Sequence, residues 1–291
     1  MSLSRRNLII ALSQCPGIGA KTVTRILTRC DLIGRTPSQF TKLSVEGLVE
    51  EHRLSSAQAR AWTDKKKELL ESARFIDERL NQLGVNIITS SDAHYPVQIE
   101  QMDPDPPSIL YTYGNERNLD GNTFAVMSSR KSSEQGLLSI EGLTEEGVLA
   151  GEILVTGHDT PEYQRSAIVP LRWGAPRILV LDRGLFAALG EDLKEEPFRT
   201  ARLWRYQFDA KTDLVISALA PDKPYRAESN KERDKLIACL ARRIDFVQIS
   251  AGGNMEKLAK VALKAGRKVR VCDENAPAEQ LAGLGAEIRL G

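Results

Sequence analysis

The first part of the chain carries apolar residues at helical spacing. In residues 1–82, apolar side chains recur three or four positions apart. The longest periodic segment runs from about Ser56 to Leu83 and stops at Gly84. It contains the basic run 65–67, which is typical of a solvated helix face. We therefore predict an all-helical domain over residues 1–82.

The remainder, residues 83–291, alternates short apolar runs with helical segments and turn residues. Each run has the length of a buried strand, and the intervening segments are long enough for helices. This alternation predicts an α/β domain. The predicted strands are 85–90, 123–128, 152–156, 177–182, 213–218, 245–250 and 267–272.

Residues 230–272 show this order most clearly. A helix is predicted first, then the strand 245–250, a glycine turn at Gly252 and Gly253, a second helix and a last strand. The order is that of a β-α-β unit, in which a glycine turn after a strand allows close approach to a nucleotide or phosphate. Residues 257–270 contain six basic residues and no acid, so the unit also favours an anionic ligand.

Composition limits the function classes. The 291 residues are 42% apolar and 27% charged with a net charge of +1, so affinity for nucleic acid would need local basic patches. No apolar run approaches the roughly 20 residues of a membrane span, and no signal peptide is evident. Four scattered cysteines and three histidines without metal-ligand spacing predict a cytoplasmic protein with reduced thiols, no metal and no cofactor.

A second candidate phosphate contact lies near the start of the chain. The segment 12–27 contains Gly17, Gly19 and Lys21 between two predicted helices. It resembles the helix-hairpin-helix motif, in which the hairpin N–H groups and a nearby lysine contact a nucleic-acid phosphate. Degenerate copies of this motif also serve as packing modules, so both roles remain open.

Two further segments resemble the DNA-processing protein A (DprA, or Smf) family. The stretch 91–114 has Tyr-Pro, then Asp-Pro-Pro, an apolar strand and a glycine, in the family's order. Residues 233–241 (RDKLIACLA) follow the family's Arg-Asn-Arg-Ile-Ile-Ala-Gly-Leu-Ser helix, with Asp234 and Lys235 replacing Asn and Arg. We interpret the prolines as structural, because they stiffen the approach to a strand and remove edge donors.

The turn after the first core strand also resembles this family. Where the family has Gly-Ser-Arg facing a phosphate-sized site, this chain has Ser128, Ser129 and Arg130, followed by Lys131. Arg130 could bind an anion or form a surface ion pair. Arg233 is predicted on the apolar side of its helix, held in place and directed towards the crevice at the carboxyl ends of the strands. By contrast, the loop 157–161 lacks the family's glycines, so contacts there are in doubt.

The resemblance implies an extended Rossmann-like domain with a parallel or mixed sheet over 83–291, after a helical domain of the helix-hairpin-helix or SAM-like type. It also implies a homodimer that binds single-stranded DNA and delivers it to the recombinase RecA in natural transformation. The family's C-terminal winged helix is not expected in this chain. Expected phosphate contacts are Ser129, Arg130, Lys131, Lys223, Arg233, Lys235, Gly252, Gly253, Lys257 and Arg267. These residues would form the basic wall of a groove that follows a phosphate backbone.

Other functions remain open on the sequence. Nucleotide phosphoribohydrolases of the lysine-decarboxylase-like type carry PGGxGTxxE at the equivalent turn, but Ala259 stands where their catalytic glutamate would be. Without that carboxylate the hydrolysis has no evident acid or base, so we do not expect an enzyme. A non-hydrolytic nucleotide sensor, or a scaffold in phage defence or a mobile element, stays possible. Arginines interleaved with aromatics at 199–206 could stack on bases or form an amphipathic helix.

Overall fold

The structure is a computed structural model that describes residues 3–272 and 277–289. Its contacts divide the chain into two compact units. Unit one is Met1–Tyr95 with Pro107–Tyr111, and unit two is Pro96–Pro106 with Thr112–Gly291. The elements of unit one are α1 (Arg5–Gln14), α2 (Ala20–Leu32), α3 (Pro37–Phe40), α4 (Val45–His52), α5 (Ser56–Gln82) and β1 (Asn86–Thr89).

Helix α5 is the long helix that the sequence predicts. It begins at Ser56 because Ser55 and Gln58 form a reciprocal capping box, which satisfies two N–H groups at the helix start. It ends before Gly84, whose φ of +74° lies in the left-handed region that glycine adopts easily. Trp62, 1% exposed, lies on the buried face of α5 and packs near Phe40, with ring centroids 5.9 Å apart. Apolar burial of this kind is the main stabilisation of a helical unit.

The boundary between the units lies later than the predicted break after residue 82. Strand β1 belongs to unit one, because hydrogen bonds hold the segment after it to residues 107–111. The Ser90 amide donates to the Ser108 carbonyl at 3.1 Å, and the Tyr95 hydroxyl donates to the Pro107 carbonyl at 2.6 Å. The Thr24 hydroxyl of α2 also donates to Ser108 at 3.0 Å. Unit one is therefore helical apart from this short strand region, and the family-like Tyr-Pro and Pro-Pro steps have structural contacts.

Unit two begins with α6 (Val97–Met102) and receives the last part of β2 (Ile109–Gly114). A short 3-10 helix, Glu116–Asp120, follows. The remaining elements are β3 (Thr123–Met127), α7 (Glu134–Leu149), β4 (Ile153–Thr156), α8 (Pro161–Trp173), β5 (Arg177–Val180), α9 (Leu185–Leu189), α10 (Arg199–Leu203), β6 (Leu214–Ser217), α11 (Ser229–Leu240), β7 (Arg243–Phe246), α12 (Asn254–Lys264), β8 (Lys268–Cys272), α13 (Ala278–Ala282) and β9 (Glu287–Arg289).

The sheet of unit two confirms the predicted α/β fold. Its strands follow the order β6-β5-β4-β3-β7-β8-β9, and each of these neighbouring pairs is parallel. The central strands are buried on both faces, as expected of parallel strands covered by helices. From β3 the chain proceeds to β4 on one side, while β7 pairs with β3 on the other side. The sheet therefore has a topological switch point beside β3, where α/β folds bind ligands.

Helix α7 lies very close to β3, and a glycine permits this approach. A Cβ atom added at Gly147 would stand 2.4 Å from the Phe124 ring, whereas one added at Gly142 in the same helix meets nothing within 4 Å. We expect Gly147→Ala to destabilise the protein by about 1–2 kcal/mol, because overpacking outweighs the higher helix propensity of alanine. The matched control Gly142→Ala should instead stabilise it by up to about 1 kcal/mol. Urea unfolding of both variants gives these values, and equal shifts would contradict the close α7–β3 contact.

Several smaller predictions can be placed on the fold. The irregular stretch after β5 contains the short helices α9 and α10, and an antiparallel bridge between Glu195 and Gln207 pairs the segments on either side of α10. The four cysteines are buried, and the sequence predicts mostly buried thiols. Burial raises the pKa of Cys239 to about 12, so this thiol stays protonated at neutral pH. Within the described ranges, every helix is too short or too polar to cross a membrane.

Candidate functional site

A cleft opens in unit two at the switch point of the sheet. Its volume is about 440 Å³, within the range of small-ligand sites. Its walls come from the loops after β3 and β7 and from the N-terminal ends of α8, α11 and α12. The lining residues are Ser128, Ser129, Arg130, Thr160, Tyr163, Tyr225, Ala227, Asn230, Lys231, Arg233, Asp234, Ser250, Gly253, Asn254 and Met255.

The loops after β3 and β7 are fastened to each other by hydrogen bonds. The Ser129 amide donates to the Gln248 carbonyl at 2.7 Å, and the Ser129 hydroxyl accepts from the Ser250 amide at 3.1 Å. The Gln248 side chain accepts from the Ser133 amide at 3.0 Å at the start of α7. Gly136 leaves room for this side chain, because a Cβ there would stand 2.7 Å from it. Ser129 therefore fixes the cleft rim, and its hydroxyl proton remains available as a donor.

Two exposed cations stand in the cleft wall. Arg130 follows β3 and Lys231 lies in the first turn of α11. Neither has a carboxylate within ion-pair distance in the described part of the chain. Lys131 beside Arg130 is also exposed and has a φ of +65°, a conformation that directs the chain sharply into α7. Because these charges are unpaired, this surface attracts anions.

An aromatic ring in the cleft was not predicted from the sequence. Tyr225 is 45% exposed, and the Arg183 guanidinium lies 5.5 Å from the centre of its ring. Its hydroxyl accepts a hydrogen bond from the Asn230 side chain at 2.8 Å, which holds the ring in position. An exposed aromatic held beside cations is a suitable stacking surface for a base. The available signal was a tyrosine within the basic loop 223–231, which sequence reasoning considered only for its charges.

Arg233 lies at the cleft as predicted, but it is buried and already paired. The residue is 2% exposed, and its guanidinium contacts Asp159 and Asp234, the latter at 2.9 Å. Asp182 lies 4.0 Å away, and the guanidinium stands 4.7 Å above the centre of the Tyr163 ring. Neighbouring carboxylates already neutralise Arg233 in this structure, so a phosphate contact by this residue stays a prediction without support from its geometry.

Within this buried cluster, the pKa values of the acidic groups shift in opposite directions. Burial raises the pKa of Asp234, although Arg233 opposes that shift, and burial likewise raises the pKa of the Tyr163 hydroxyl, which donates to Asp234 at 2.7 Å. At Asp182, burial is outweighed by His158 and Arg183, so its pKa lies well below the usual range. In the loop 157–161, Thr160 caps α8 and Asp159 pairs with Arg233.

The glycine turn has the predicted geometry, but its N–H groups are already engaged. Gly252 has a φ of +71°, and its amide donates to the Glu256 carboxylate at 2.6 Å. The Gly253 amide donates to the Ser250 carbonyl at 3.0 Å. Glu256 thus occupies the position that an anion would take at the start of α12. The phosphate contact at Gly252 and Gly253 therefore stays a prediction that these hydrogen bonds do not favour, although Gly253 lines the cleft.

Other predicted contacts lie outside the cleft. Lys235 pairs with Asp103 at 2.7 Å, and Arg267 donates to the carbonyls of Gln98 and Cys239 at 2.8 and 3.1 Å, so both attach the α6 segment. Lys223 and Lys257 are exposed but are not among the lining residues. Lys235 and Arg267 make internal contacts in this structure, so their place in the basic wall stays a prediction that their geometry does not favour.

The predicted hairpin in unit one is a turn between α1 and α2. Gly17 has a φ of +77°, which requires little strain only for glycine, and Gly19 is the N-cap residue of α2. The Gln58 side chain of α5 donates to the Gly17 carbonyl at 2.6 Å, so the turn also packs against its own unit. Lys21 is exposed on the first turn of α2. This geometry is compatible with both roles considered for the motif.

Comparisons with known proteins agree with this fold. A family model described as DNA recombination-mediator protein A matches residues 86–291. The chain is similar to the structure of DNA processing protein A from Streptococcus pneumoniae, with 18% identity and a TM-score of 0.69, covering 100% of this chain and 96% of that one. It is also similar to DNA processing protein A from Helicobacter pylori, with 16% identity and a TM-score of 0.53, covering 70% and 90%.

That Helicobacter pylori structure was described for its unique single-stranded DNA binding mode. A comparison with curated proteins finds no match. At such identities the solved structures show only a shared fold, whereas the match to the family model shows family membership. Because that model extends from β1 through the sheet of unit two, the chain belongs to the DNA recombination-mediator protein A family.

Proposed function

We propose that this protein binds single-stranded DNA in the cleft of unit two. The observation that carries the proposal is the pair of unpaired cations, Arg130 and Lys231, in the wall of a cleft that also exposes the Tyr225 ring. Cations that contact phosphates together with an aromatic that stacks on a base are the usual elements of single-strand binding. The Helicobacter pylori relative, described for its single-stranded DNA binding mode, supports this assignment.

The arrangement favours binding without strong sequence preference. Phosphate contacts position a strand but read no base, and stacking on tyrosine accepts every base. Ser129 and the exposed Asn254 add polar groups at the cleft rim. We therefore expect similar affinity for oligonucleotides of different sequence, with a clear decrease in affinity as salt rises.

We further propose that the protein acts without catalysis, as a mediator of recombination in DNA uptake. In this proposal it protects the strand and delivers it to a RecA-type recombinase, and two copies associate near residues 213–272. A strand-exchange assay in which the protein fails to accelerate RecA filament assembly would contradict delivery. Sedimentation that gives a monomer at working concentrations would contradict the dimer.

The cleft is tested by replacing Arg130 and Lys231 with glutamine in the full chain. We expect at least tenfold weaker binding of a labelled single-stranded oligonucleotide in fluorescence anisotropy at low salt. The plot of log affinity against log salt should become shallower by about 1.4, because two phosphate contacts are lost. The matched control is Lys211→Gln with Lys264→Gln, which removes the same charge at exposed positions outside the cleft. Equal effects of the two double variants would refute the cleft assignment.

A mononucleotide sensor is the second candidate, because the cleft volume of about 440 Å³ at the switch point is also suitable for one nucleotide. The same assay separates the two candidates when unlabelled mononucleotides compete with the oligonucleotide. A strand should bind much more tightly than a mononucleotide, since it contacts several cations and stacks at the same time. Equal affinity of both would favour the sensor.

A further inference from the structure

Unit one contains a groove that the cleft function does not use. Its volume is about 520 Å³, and all of its lining residues belong to unit one. One wall is a single face of α2, and the other is the C-terminal end of α4. The lining residues are Lys21, Thr24, Arg25, Thr28, Arg29, Leu32, Glu50, Glu51, His52, Arg53 and Ser108.

The α2 wall carries a regular row of cations. Lys21, Arg25 and Arg29 follow each other at intervals of four residues, so they share one helix face and are about 6 Å apart along the axis. All three are exposed. Evenly spaced cations along a groove are suited to a ligand with evenly spaced negative charges, rather than to a single small anion.

Three arginines of the groove lack a carboxylate partner in the described residues. Arg25, Arg29 and Arg53 have no carboxylate within ion-pair distance in the described residues, and Arg25 instead donates to the Arg53 carbonyl at 3.2 Å. Of the two glutamates in the lining, Glu51 pairs with Arg35 at 2.5 Å. The lining consequently retains an excess of positive charge.

The lining residue His52 has a buried imidazole nitrogen without a hydrogen-bond partner in the described residues. Its side chain is 1% exposed, and its Nε2 atom lies 3.0 Å from the Arg35 guanidinium. Because a guanidinium can only donate, Nε2 must accept, and the neutral ring then carries its proton on Nδ1. That Nδ1 atom is buried without a hydrogen-bond partner. Burial, with Arg35 nearby, also lowers the pKa of His52, which keeps the ring neutral. A buried donor of this kind requires an acceptor.

We propose that this groove binds the phosphate backbone of a nucleic acid, as a second contact in addition to the cleft of unit two. Arginine and lysine side chains supply charge, and the exposed Thr28 hydroxyl supplies a hydrogen-bond donor. This combination of groups is the one that proteins use to hold phosphates without reading bases. The even spacing of the cations favours a phosphodiester chain over an acidic peptide, whose carboxylates follow no fixed repeat.

The groove is tested with Arg25→Gln and Arg29→Gln together, in the full chain and also in the background of the Arg130→Gln/Lys231→Gln cleft variant. Glutamine keeps helix propensity close to that of arginine, so α2 should persist. The matched control is Lys65→Gln with Lys67→Gln, which removes the same charge from exposed positions of α5 in the same unit. Labelled single-stranded and duplex oligonucleotides of equal length, and a polyglutamate peptide, are titrated by anisotropy over a salt series.

We expect the cleft variant to retain salt-sensitive oligonucleotide binding. The groove substitutions should weaken this remaining binding at least fivefold and make its salt dependence shallower. The single-stranded and duplex arms show which form of backbone is preferred. The proposal is overturned if the groove variant matches the Lys65/Lys67 control in both backgrounds, or if polyglutamate binds as tightly as either oligonucleotide. If the cleft substitutions change nothing while the groove substitutions abolish binding, the cleft function fails and the groove assignment stands.

A second measurement addresses His52 directly. In the cleft variant labelled with ¹⁵N, adding the preferred oligonucleotide should shift the imidazole signals of His52, because a phosphate bound in the groove places negative charge beside this lining residue. The exposed His94 imidazole is the internal reference and should not move. An unchanged His52 signal at saturating oligonucleotide would overturn the assignment of this groove as a phosphate-binding site.

Discussion

Replacing Arg233 with methionine should destabilise unit two by about 3–5 kcal/mol, because the change leaves buried carboxylates without their cation. Arg233 contacts Asp159 and Asp234 and stands over the Tyr163 ring, with only 2% of the residue exposed. The lost guanidinium also removes the group that opposes the upward pKa shift of Asp234. Lysine at this position should recover only part of the stability, since one ammonium cannot make the same forked contacts.

Chemical unfolding measured at neutral pH gives the size of this effect. Lys231→Met is the matched control on the same helix, because Lys231 is exposed and unpaired, and it should change stability by no more than about 0.5 kcal/mol. If both methionine variants unfold at the same denaturant concentration, the buried cluster does not hold unit two together. DNA affinity of the Arg233 variant is informative only where that variant remains folded.

Arg177→Met should lower the free energy of unfolding by a comparable amount, also about 3–5 kcal/mol. Arg177 lies at the N-terminal end of β5. Arg177 is fully buried on β5 and contacts Glu196, the Asp213 carboxylate at 2.9 Å and the Ala167 carbonyl at 3.1 Å. Burial raises the pKa of both Glu196 and Asp213, while Arg177 lowers them. Without Arg177 both carboxyl groups would be driven further towards the neutral form.

This prediction has a pH dependence of definite sign. A carboxyl group whose pKa is raised by folding stabilises the protein below its unfolded pKa, and this contribution is lost as pH rises through the folded pKa. Removing Arg177 raises both folded pKa values further, so the variant should lose least stability in acid. We expect the difference in unfolding free energy between wild type and Arg177→Met to be smaller at pH 5 than at pH 7. A difference that is constant or larger at pH 5 would contradict this account.

The sheet could be predicted from the sequence because parallel strands are buried on both faces. Five of the six predicted strands from 123–128 to 267–272 contain the observed one, since continuous apolar runs bounded by glycine or polar residues leave little freedom. The exception is the prediction 245–250, because β7 is Arg243–Phe246 and shares only two residues with it. The glycine turn before α12 was located for the same reason. The strand Glu287–Arg289 was missed, because it is short and mostly exposed and so carries no apolar run.

The site was harder to predict because charge in a sequence does not show its partner. In the sequence, Arg130 and Arg233 are both predicted to face the cleft. In the structure Arg130 is exposed after β3, whereas Arg233 lies in α11 and is neutralised by Asp159 and Asp234. Lys235 likewise meets Asp103, which lies far from it in sequence. Tyr225 gave only a weak signal, because one aromatic residue in a polar loop is usually without function. Long-range pairing of this kind depends on the folded chain.

The position of β3 at the centre of the sheet also affects the order in which the chain can fold during synthesis. Phe124 pairs with Arg243, and the Thr123 hydroxyl donates to the Leu240 carbonyl at 2.7 Å, across 117 residues of intervening chain. At translation rates of about 5–20 residues per second, β3 therefore waits roughly 6–24 seconds for its partner β7. Until then one edge of this apolar strand has no neighbour, and such edges promote aggregation. Unit one, whose contacts are complete by Tyr111, can fold well before that.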